Sequence, residues 1–324
     1  MKIALDVMGG DYAPEQIIKG AQQALPHIDA ELILVGNEKR IRQLLGDNLN
    51  FKILHSSETI YMDEIPTRAV LRKRASSMKI AFELMRDGKV DAVISAGNSG
   101  AFVASAVFNL GLVQGIEKPA IASILPGRYS PFILIDSGAS VDCKAQHLYQ
   151  FALMGHALSM SYLGIKQPKV GLLSIGEESN KGNRVVKQAY EMLDNSPLNF
   201  IGNIEGNMLF DNIADVVVCD GFVGNIALKI CESIAQYIKE WLSQELDKEL
   251  DKKVEKKLDY EEYGGGIVMG IRGLAIICHG RSSSKAIKNA IIMAFHFLKN
   301  KIINKILLEL DKISSFIGEG YGRA

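Results

Sequence analysis

The sequence predicts an α/β protein, a three-layer α/β/α arrangement with a mostly parallel sheet and one long helical excursion. Three observations carry this. Short apolar runs end again and again in a polar, glycine-containing turn. Each turn then passes into a helical pattern, and strand–turn–helix repeated many times gives a parallel sheet with helices on both faces. One segment breaks the rhythm: Asn225–Tyr263 contains neither Gly nor Pro and is largely charged from Gln244 onward. It is expected to be helical, too long for the body of the domain and folded back as a hairpin. The chain is therefore read as one α/β catalytic domain over 1–324, with the excursion at about 226–263 inside it.

The elements follow in order. Lys2–Val7 (KIALDV) is a first strand with Asp6 at its end, followed by Met8-Gly9-Gly10-Asp11. Pro14 suits the first turn of a helix reaching about Leu25. Glu31–Val35 is a second strand, closed by Gly36 and followed by a polar helix over 38–45. Phe51–Leu54 is a third, and its loop ends at Pro66. The basic triplet Arg72-Lys73-Arg74 comes next, then Ser76-Ser77 as the N-cap of a helix over 78–87. Val90–Ile94 is the central strand, and Ala101–Leu110 after it is a buried helix.

Ala120–Leu125 and Phe132–Ile135 are joined by a turn short enough for an antiparallel hairpin. Helix over Ala145–Leu163, strand over Lys169–Ile175 and helix through Leu193 follow. Asp215–Cys219 is a strand, and Leu274–Cys278 is the last. Lys285–Phe316 lacks Gly and Pro, with apolar residues at spacings of three and four. That pattern gives one long amphipathic helix or two abutting ones.

Composition narrows the function. The chain is 48% hydrophobic and 23% charged, ordinary for a globular protein. Lys+Arg and Asp+Glu both number 37, so no global basic field for nucleic acid exists. The four cysteines, Cys143, Cys219, Cys231 and Cys278, stand far apart, which suggests reduced thiols in the cytoplasm. The N-terminus reaches Asp6 too soon for a signal peptide. The apolar run 101–113 is interrupted by Asn109 and is too short to span a bilayer.

Several site types lack their motifs. There is no GxxxxGK[ST] and no GxGxxG, and Gly264-Gly265-Gly266 has neither the spacing nor the preceding strand of a dinucleotide loop. Cys143 and His147 fit one helix face but have no evident third metal ligand. No GxSxG elbow is present.

An anion site has more behind it. A strand that ends in a glycine turn and feeds a helix aims free N–H groups and the positive end of the helix dipole at one point. Gly97-Asn98-Ser99-Gly100 has this form, though alone it reads equally as a plain turn with Ser99 as N-cap. Gly9, Gly10 and Asp11 follow Asp6 in the same way. Asp136, with Lys144 beyond it, closes another strand. Asn180, Lys181 and Asn183 follow Lys169–Ile175, while Gly221, Gly224 and Asn225 follow Asp215–Cys219. His279 with Gly280 adds an imidazole donor. In a parallel sheet all these segments lie at the carboxyl ends of strands, where ligands bind. Lys181, Asn183, Asn225 and His279 are the expected catalytic donors, and the others are expected to bind phosphate and substrate.

MGGDYAP, SSM, SAGNSGA, DSGASVDCK, IGEESNKGN, CDGFVGN and HGRSSSKAIKNAI, in this order from Met1 to about Ala294, resemble the bacterial phosphate acyltransferases of phospholipid synthesis. Two positions depart from that pattern: Ser140 stands where the family has Asn, and Arg281 where it has Ser. The tail after Lys299 has no counterpart in it. The resemblance implies a fold akin to phosphotransacetylases and isocitrate-type dehydrogenases. It implies transfer of a long-chain acyl group from acyl-carrier protein to inorganic phosphate. It further implies a homodimer, peripheral association with the inner face of the cell membrane, and neither metal nor organic cofactor.

The chemistry of the motifs agrees. Phosphate is already an anionic nucleophile at neutral pH, and a thiol with a pKa near ~8.5 leaves without much acid assistance. Positioning and oxyanion stabilisation remain, and N–H, Asn and Lys donors suit both. The alternatives are a phosphotransacetylase acting on short acyl-coenzyme A, and a non-catalytic scaffold joining fatty-acid synthesis to the membrane through Asn225–Tyr263.

Overall fold

The computed structural model describes residues 1–46, 51–245 and 259–318. In chain order the elements are β1 (Lys2–Asp6), α1 (Glu15–Ala24), β2 (Glu31–Gly36), α2 (Glu38–Leu45), β3 (Lys52–His55), α3 (Pro66–Arg72), α4 (Ser77–Arg86), β4 (Ala92–Ser95) and α5 (Ser99–Leu110). There follow β5 (Ala120–Leu125), β6 (Phe132–Ile135), α6 (Ala145–Leu158), β7 (Lys169–Leu173), α7 (Arg184–Asp194), β8 (Asn199–Ile204), β9 (Val216–Val218) and α8 (Gly221–Glu245). The chain continues with β10 (Gly266–Met269), β11 (Leu274–Ile277), α9 (Ser284–Lys299) and α10 (Ile302–Gly318).

By contacts the chain divides into two compact units, Met1–Gln114 with Glu261–Ile303, and Gly115–Tyr260 with Asn304–Ala324. In unit 1 the strands lie in the order β3-β2-β1-β4-β11-β10. All neighbours are parallel except β10 with β11. Strands β1 and β4 are apolar and buried, with α9 and α4 packed on them and α1 packed on α9. In unit 2 the order is β5-β6-β9-β7-β8. The pair β5–β6 is the expected antiparallel hairpin, and the rest are parallel.

The mostly parallel α/β architecture is the one the sequence predicts, and most boundaries agree within two residues. Two strands were not legible. β8 contains Gly202 at φ +94° and two asparagines, which break its apolar run. β10 is four residues long and starts inside a glycine run. The last helical pattern resolves into two abutting helices, α9 and α10, with Lys301 between them at φ +52°. α8 begins at Gly221, four residues before the expected helical stretch, and runs to Glu245. The remainder of the excursion, 246–258, lies outside the described residues, and a short turn follows at Tyr260–Tyr263. Among the described residues no helix is long and apolar enough to cross a membrane.

Candidate functional site

In each unit three adjacent parallel strands bring their carboxyl-terminal turns side by side. In unit 1 these are β1, β4 and β11. Asp6 ends β1 and is buried; its Oδ2 accepts from Ser95 Oγ at 2.7 Å. Its Oδ1 accepts the Met8 N–H at 3.3 Å, and the Ser77 hydroxyl and the Gly9 N–H also bond this carboxyl. Burial, the largest influence, raises its pKa. Ser95 in turn accepts the Gly97 N–H at 2.9 Å. A Cβ on Gly9 would lie 2.8 Å from Gly97 N, so glycine there lets the first turn close over the second. The Asp11 N–H donates to Gly280 O at 2.8 Å, which ties the β1 turn to the His279–Gly280 turn.

Several of the expected ligands have other work in this cluster. Asn98, not Ser99, is the N-cap of α5: its Oδ1 accepts the Ala101 N–H at 3.0 Å. Its Nδ2 donates to the carbonyls of Met62 and Glu64 at 3.1 and 3.0 Å. Both ends of the amide are thereby engaged in holding the 61–64 loop. Ser76 does take the N-cap position of α4, but its hydroxyl makes no capping bond, and Ser77 turns to Asp6 instead. The Asp11 carboxylate lies 3.7 Å from the Arg281 guanidinium. His279 Nδ1 accepts from the Arg281 N–H at 3.4 Å. Ser99 and Gly100 are exposed, and their N–H groups open the first turn of α5, where no intrahelical acceptor exists.

In unit 2 the adjacent strand ends are those of β6, β9 and β7. Asp136 is fully buried at φ +34°, and its carboxylate accepts four backbone N–H groups. These are Ile121 at 3.3 Å, Gly138 at 3.2 Å, Ala139 at 2.7 Å and Ser140 at 2.9 Å. Burial nevertheless outweighs them and pushes its pKa up to about 6. The N–H groups of the DSGAS turn are therefore already claimed by the turn's own aspartate, which organises the loop and is not itself an anion ligand. Glycines let α8 approach it closely. A Cβ on Gly224 would lie 2.1 Å from Asp136 O, and one on Gly221 would lie 2.8 Å from Ser140 N. Asn225 lies alongside Gly138.

The β7 turn presents the exposed residues Asn180, Lys181 and Asn183. Asn183 is the N-cap of α7, its Oδ1 accepting the Val186 N–H at 2.9 Å. The aliphatic stem of Lys181 packs over Gly176, where a Cβ would come within 2.9 Å of Lys181 Cγ. Asn183 lines a cavity of about 290 Å³ with Ser174, Gly182, Cys219, Asp220 and Val223. Lys144 is exposed at the N-cap of α6, where its N–H donates to His147 Nδ1 at 3.0 Å.

The cysteines beside these turns are poor nucleophiles. Burial, reinforced by the Asp136 charge, pushes Cys143 up to about 12. Cys219 is fully buried and raised well above the ordinary thiol value for the same two reasons.

Sequence reading missed Ser95 and Ser77 as partners of Asp6, and Asp220, whose Oδ1 accepts the Val223 N–H at 2.9 Å in the first turn of α8. The Ser76-Ser77 pair was visible, but its role depends on a strand some seventy residues away. Asp220 stands directly before the glycine that opens α8, a capping signal of the ordinary kind.

The turns that organise both clusters are the motifs of one family. The sequence profile of the family described as "Fatty acid synthesis protein" matches residues 1–305. The chain belongs to this family. A phosphate acyltransferase of Thermodesulfovibrio yellowstonii is 47% identical over 328 residues, covering 96% of this chain and 95% of the relative. One from Dictyoglomus turgidum is 46% identical over 332 residues, covering 97% and 99%. This family member is accordingly an enzyme, a phosphate acyltransferase.

Solved structures agree in fold. A phosphotransacetylase from Streptococcus pyogenes superimposes with a TM-score of 0.65 at 18% identity, covering 92% of this chain and 94% of its own. A branched-chain phosphotransacylase from Enterococcus faecalis gives 0.57 at 15% identity, with 93% and 99% coverage. A 4-hydroxythreonine-4-phosphate dehydrogenase from Klebsiella pneumoniae gives 0.55 at 14%, with 91% and 98%. These are the two fold kinships, phosphotransacetylase and dehydrogenase, that the resemblance implies.

Proposed function

We propose that the enzyme transfers a long-chain fatty acyl group from acyl-carrier protein to inorganic phosphate by direct attack of phosphate on the thioester. The observation that carries the direct route is the state of the cysteines: the two nearest the strand-end turns are held as thiols, with Cys143 pushed up to about 12. An acyl-cysteine would also be another thioester, so it would gain no activation while phosphate still had the same attack to make. Holding both substrates in place can instead supply about 7–11 kcal/mol of the barrier.

Phosphate is bound by donors left exposed by the turns. In unit 2 these are the Lys181 ammonium and the Asn180 amide. The Asp6 and Asp136 carboxylates set the turns and stay out of the chemistry. Asn225, beside the Asp136 turn, serves the thioester oxygen as it gains charge. The product is an acyl phosphate, and the carrier protein departs as a free thiol.

The acidic carrier protein docks on α3 of unit 1. Of the triplet Arg72-Lys73-Arg74, Lys73 is committed internally, donating to Thr59 O at 2.6 Å and to Glu64 at 2.5 Å. Arg68, Arg72 and Arg74 are exposed beside the exposed Ile65 and Leu71, a basic and apolar surface of the kind such a partner fits. The homodimer forms through α8, along the exposed apolar residues Phe222, Ile226, Tyr237 and Trp241. Contact with the inner face of the membrane falls to the excursion beyond it.

The test is incubation with palmitoyl-acyl-carrier protein and phosphate, with hydroxylamine trapping of acyl phosphate. Trapped palmitoyl hydroxamate in a stoichiometric ratio to free carrier thiol is expected. Product from acetyl-coenzyme A alone would make the enzyme a short-chain phosphotransacetylase. No product from either would leave only the scaffold.

A further inference from the structure

Unit 2 has a second concavity, which none of the turns after β6, β7 and β9 lines. It is an open groove of about 720 Å³ beside α8. Ala227, Ile234, Ala235 and Ile238 form its helical wall, and Leu125, Leu209 and Phe210 the opposite one. Leu228, on the next face of the helix, packs on the core cluster that includes Leu125, Leu209 and Val217. The helix is thus anchored along one line and stands off along the neighbouring one. Only two charged residues reach the groove, Arg128 and Glu232. Arg128 is paired with Asp211 at 3.1 Å and Glu232 with Lys229 at 3.6 Å. The rest of the described lining is mostly apolar, the setting that favours an apolar guest.

We propose that this groove holds the acyl chain of the substrate, a deepening that rests on the long-chain reading above. Its length fits an extended hydrocarbon: Ala227 to Ile238 spans eleven helical steps, about 16 Å at 1.5 Å each. Ala227, at its near end, is two residues on from Asn225 and so on the far side of α8 from the Asp136 turn, and the acyl chain reaches the groove by crossing the first turns of that helix. Each buried methylene adds about fourfold to binding, so the groove makes chain length the specificity determinant. The rival occupant is a second copy of the chain, since Ile230 and Ile234 line the groove and are exposed next to the residues assigned to the dimer.

The experiment uses the full-length enzyme and compares kcat/KM on palmitoyl- and butyryl-acyl-carrier protein. Ala235→Phe fills the middle of the groove, and Ala227→Phe fills its mouth. Each should lower the palmitoyl-to-butyryl ratio about fiftyfold, as loss of about three methylenes' worth of burial does. Trp241, the single tryptophan of the chain, stands one turn beyond Ile238. Brominated palmitate should quench its fluorescence in the parent enzyme and bind at least tenfold more weakly to Ala235→Phe. An unchanged ratio in a folded variant, or no quenching in the parent, overturns the groove while the transacylase stands. An unchanged ratio together with loss of the dimer in sedimentation gives the groove to the second copy. A parent that makes no palmitoyl phosphate overturns the reading on which the groove rests.

Discussion

Asp6 in unit 1 and Asp136 in unit 2 stand in matching places. Each is a buried carboxylate at the end of a strand whose parallel neighbours also end in glycine turns. Both accept main-chain N–H groups of the turn that follows, Met8 and Gly9 in the case of Asp6, and they differ in what else holds them. Asp136 takes four backbone N–H groups, three of them from its own loop within four residues. Asp6 depends on Ser95, eighty-nine residues away, and on Ser77, so two other segments lock it in place. A carboxylate can organise a turn through the chain that follows it or through its neighbours in the sheet. Only the first arrangement leaves a signature in consecutive residues.

The largest effect separating the two turns should come from their glycines. Gly224→Ala puts a methyl 2.1 Å from Asp136 O, a clash with rigid backbone. It should cost about 3 kcal/mol or more. Gly9→Ala meets its nearest backbone atom at 2.8 Å and should cost about 1–2 kcal/mol. Urea denaturation checks both, and equal costs would mean that the two turns yield alike.

Next comes the pH dependence of Asp136. Its folded pKa of about 6 lies above the unfolded value, so between about pH 4 and 6 the folded state binds more protons. Stability should be greatest below about pH 4 as far as this group is concerned and should fall as pH rises to about 6, by about 3 kcal/mol in all. Asp136→Asn should flatten that slope. Asp6, also raised by burial, contributes with the same sign. A slope unchanged in Asp136→Asn but lost in Asp6→Asn would reverse the assignment.

Lys181→Ala should raise the phosphate KM or lower turnover by about one to two orders of magnitude, the loss of a charge-assisted hydrogen bond of about 1.5–3 kcal/mol. Its ammonium is exposed, so the melting temperature should stay within a degree or two. Unchanged phosphate kinetics would remove Lys181 from the site.

The smallest effects should fall on the serines. Ser95→Ala strips Asp6 of a hydroxyl and leaves the Gly97 N–H without its acceptor, at about 1.5–3 kcal/mol. Ser140→Ala removes only the bond from Ser140 Oγ to Pro119 O, about 1 kcal/mol, because Asp136 is bonded by the backbone of that residue. Melting curves of the pair would show whether unit 1 relies on side chains where unit 2 relies on main chain.

The same contrast explains what could be read from the sequence. The strand order of neither unit is written in it, but the strands other than β8 and β10 are, because buried parallel strands are runs of Ile, Val, Leu and Ala. The turns were legible as turns. Their inner wiring was not: Asp136 reads as a substrate ligand, although three of its four partners lie in DSGAS itself. Asn98 looks like a ligand when read beside Gly97 and Ser99. It becomes a clamp only once the carbonyls of Met62 and Glu64 arrive from thirty-odd residues upstream. Asn183 caps α7 through its Oδ1, a second role beside the donor its Nδ2 offers. The groove beside α8 was not legible at all, since it is a gap between elements from three parts of the chain.

The most direct test of direct attack is intact-protein mass spectrometry of the enzyme mixed with palmitoyl-acyl-carrier protein, first without phosphate and then with it. Direct attack predicts no mass increase on the enzyme in the absence of phosphate. On its addition, palmitoyl phosphate should appear in step with free carrier protein, and Cys143→Ala and Cys219→Ala should each keep turnover within about tenfold of the parent. A palmitoylated enzyme formed without phosphate and discharged by adding it, with a loss of several orders of magnitude in either folded cysteine variant, would contradict the account.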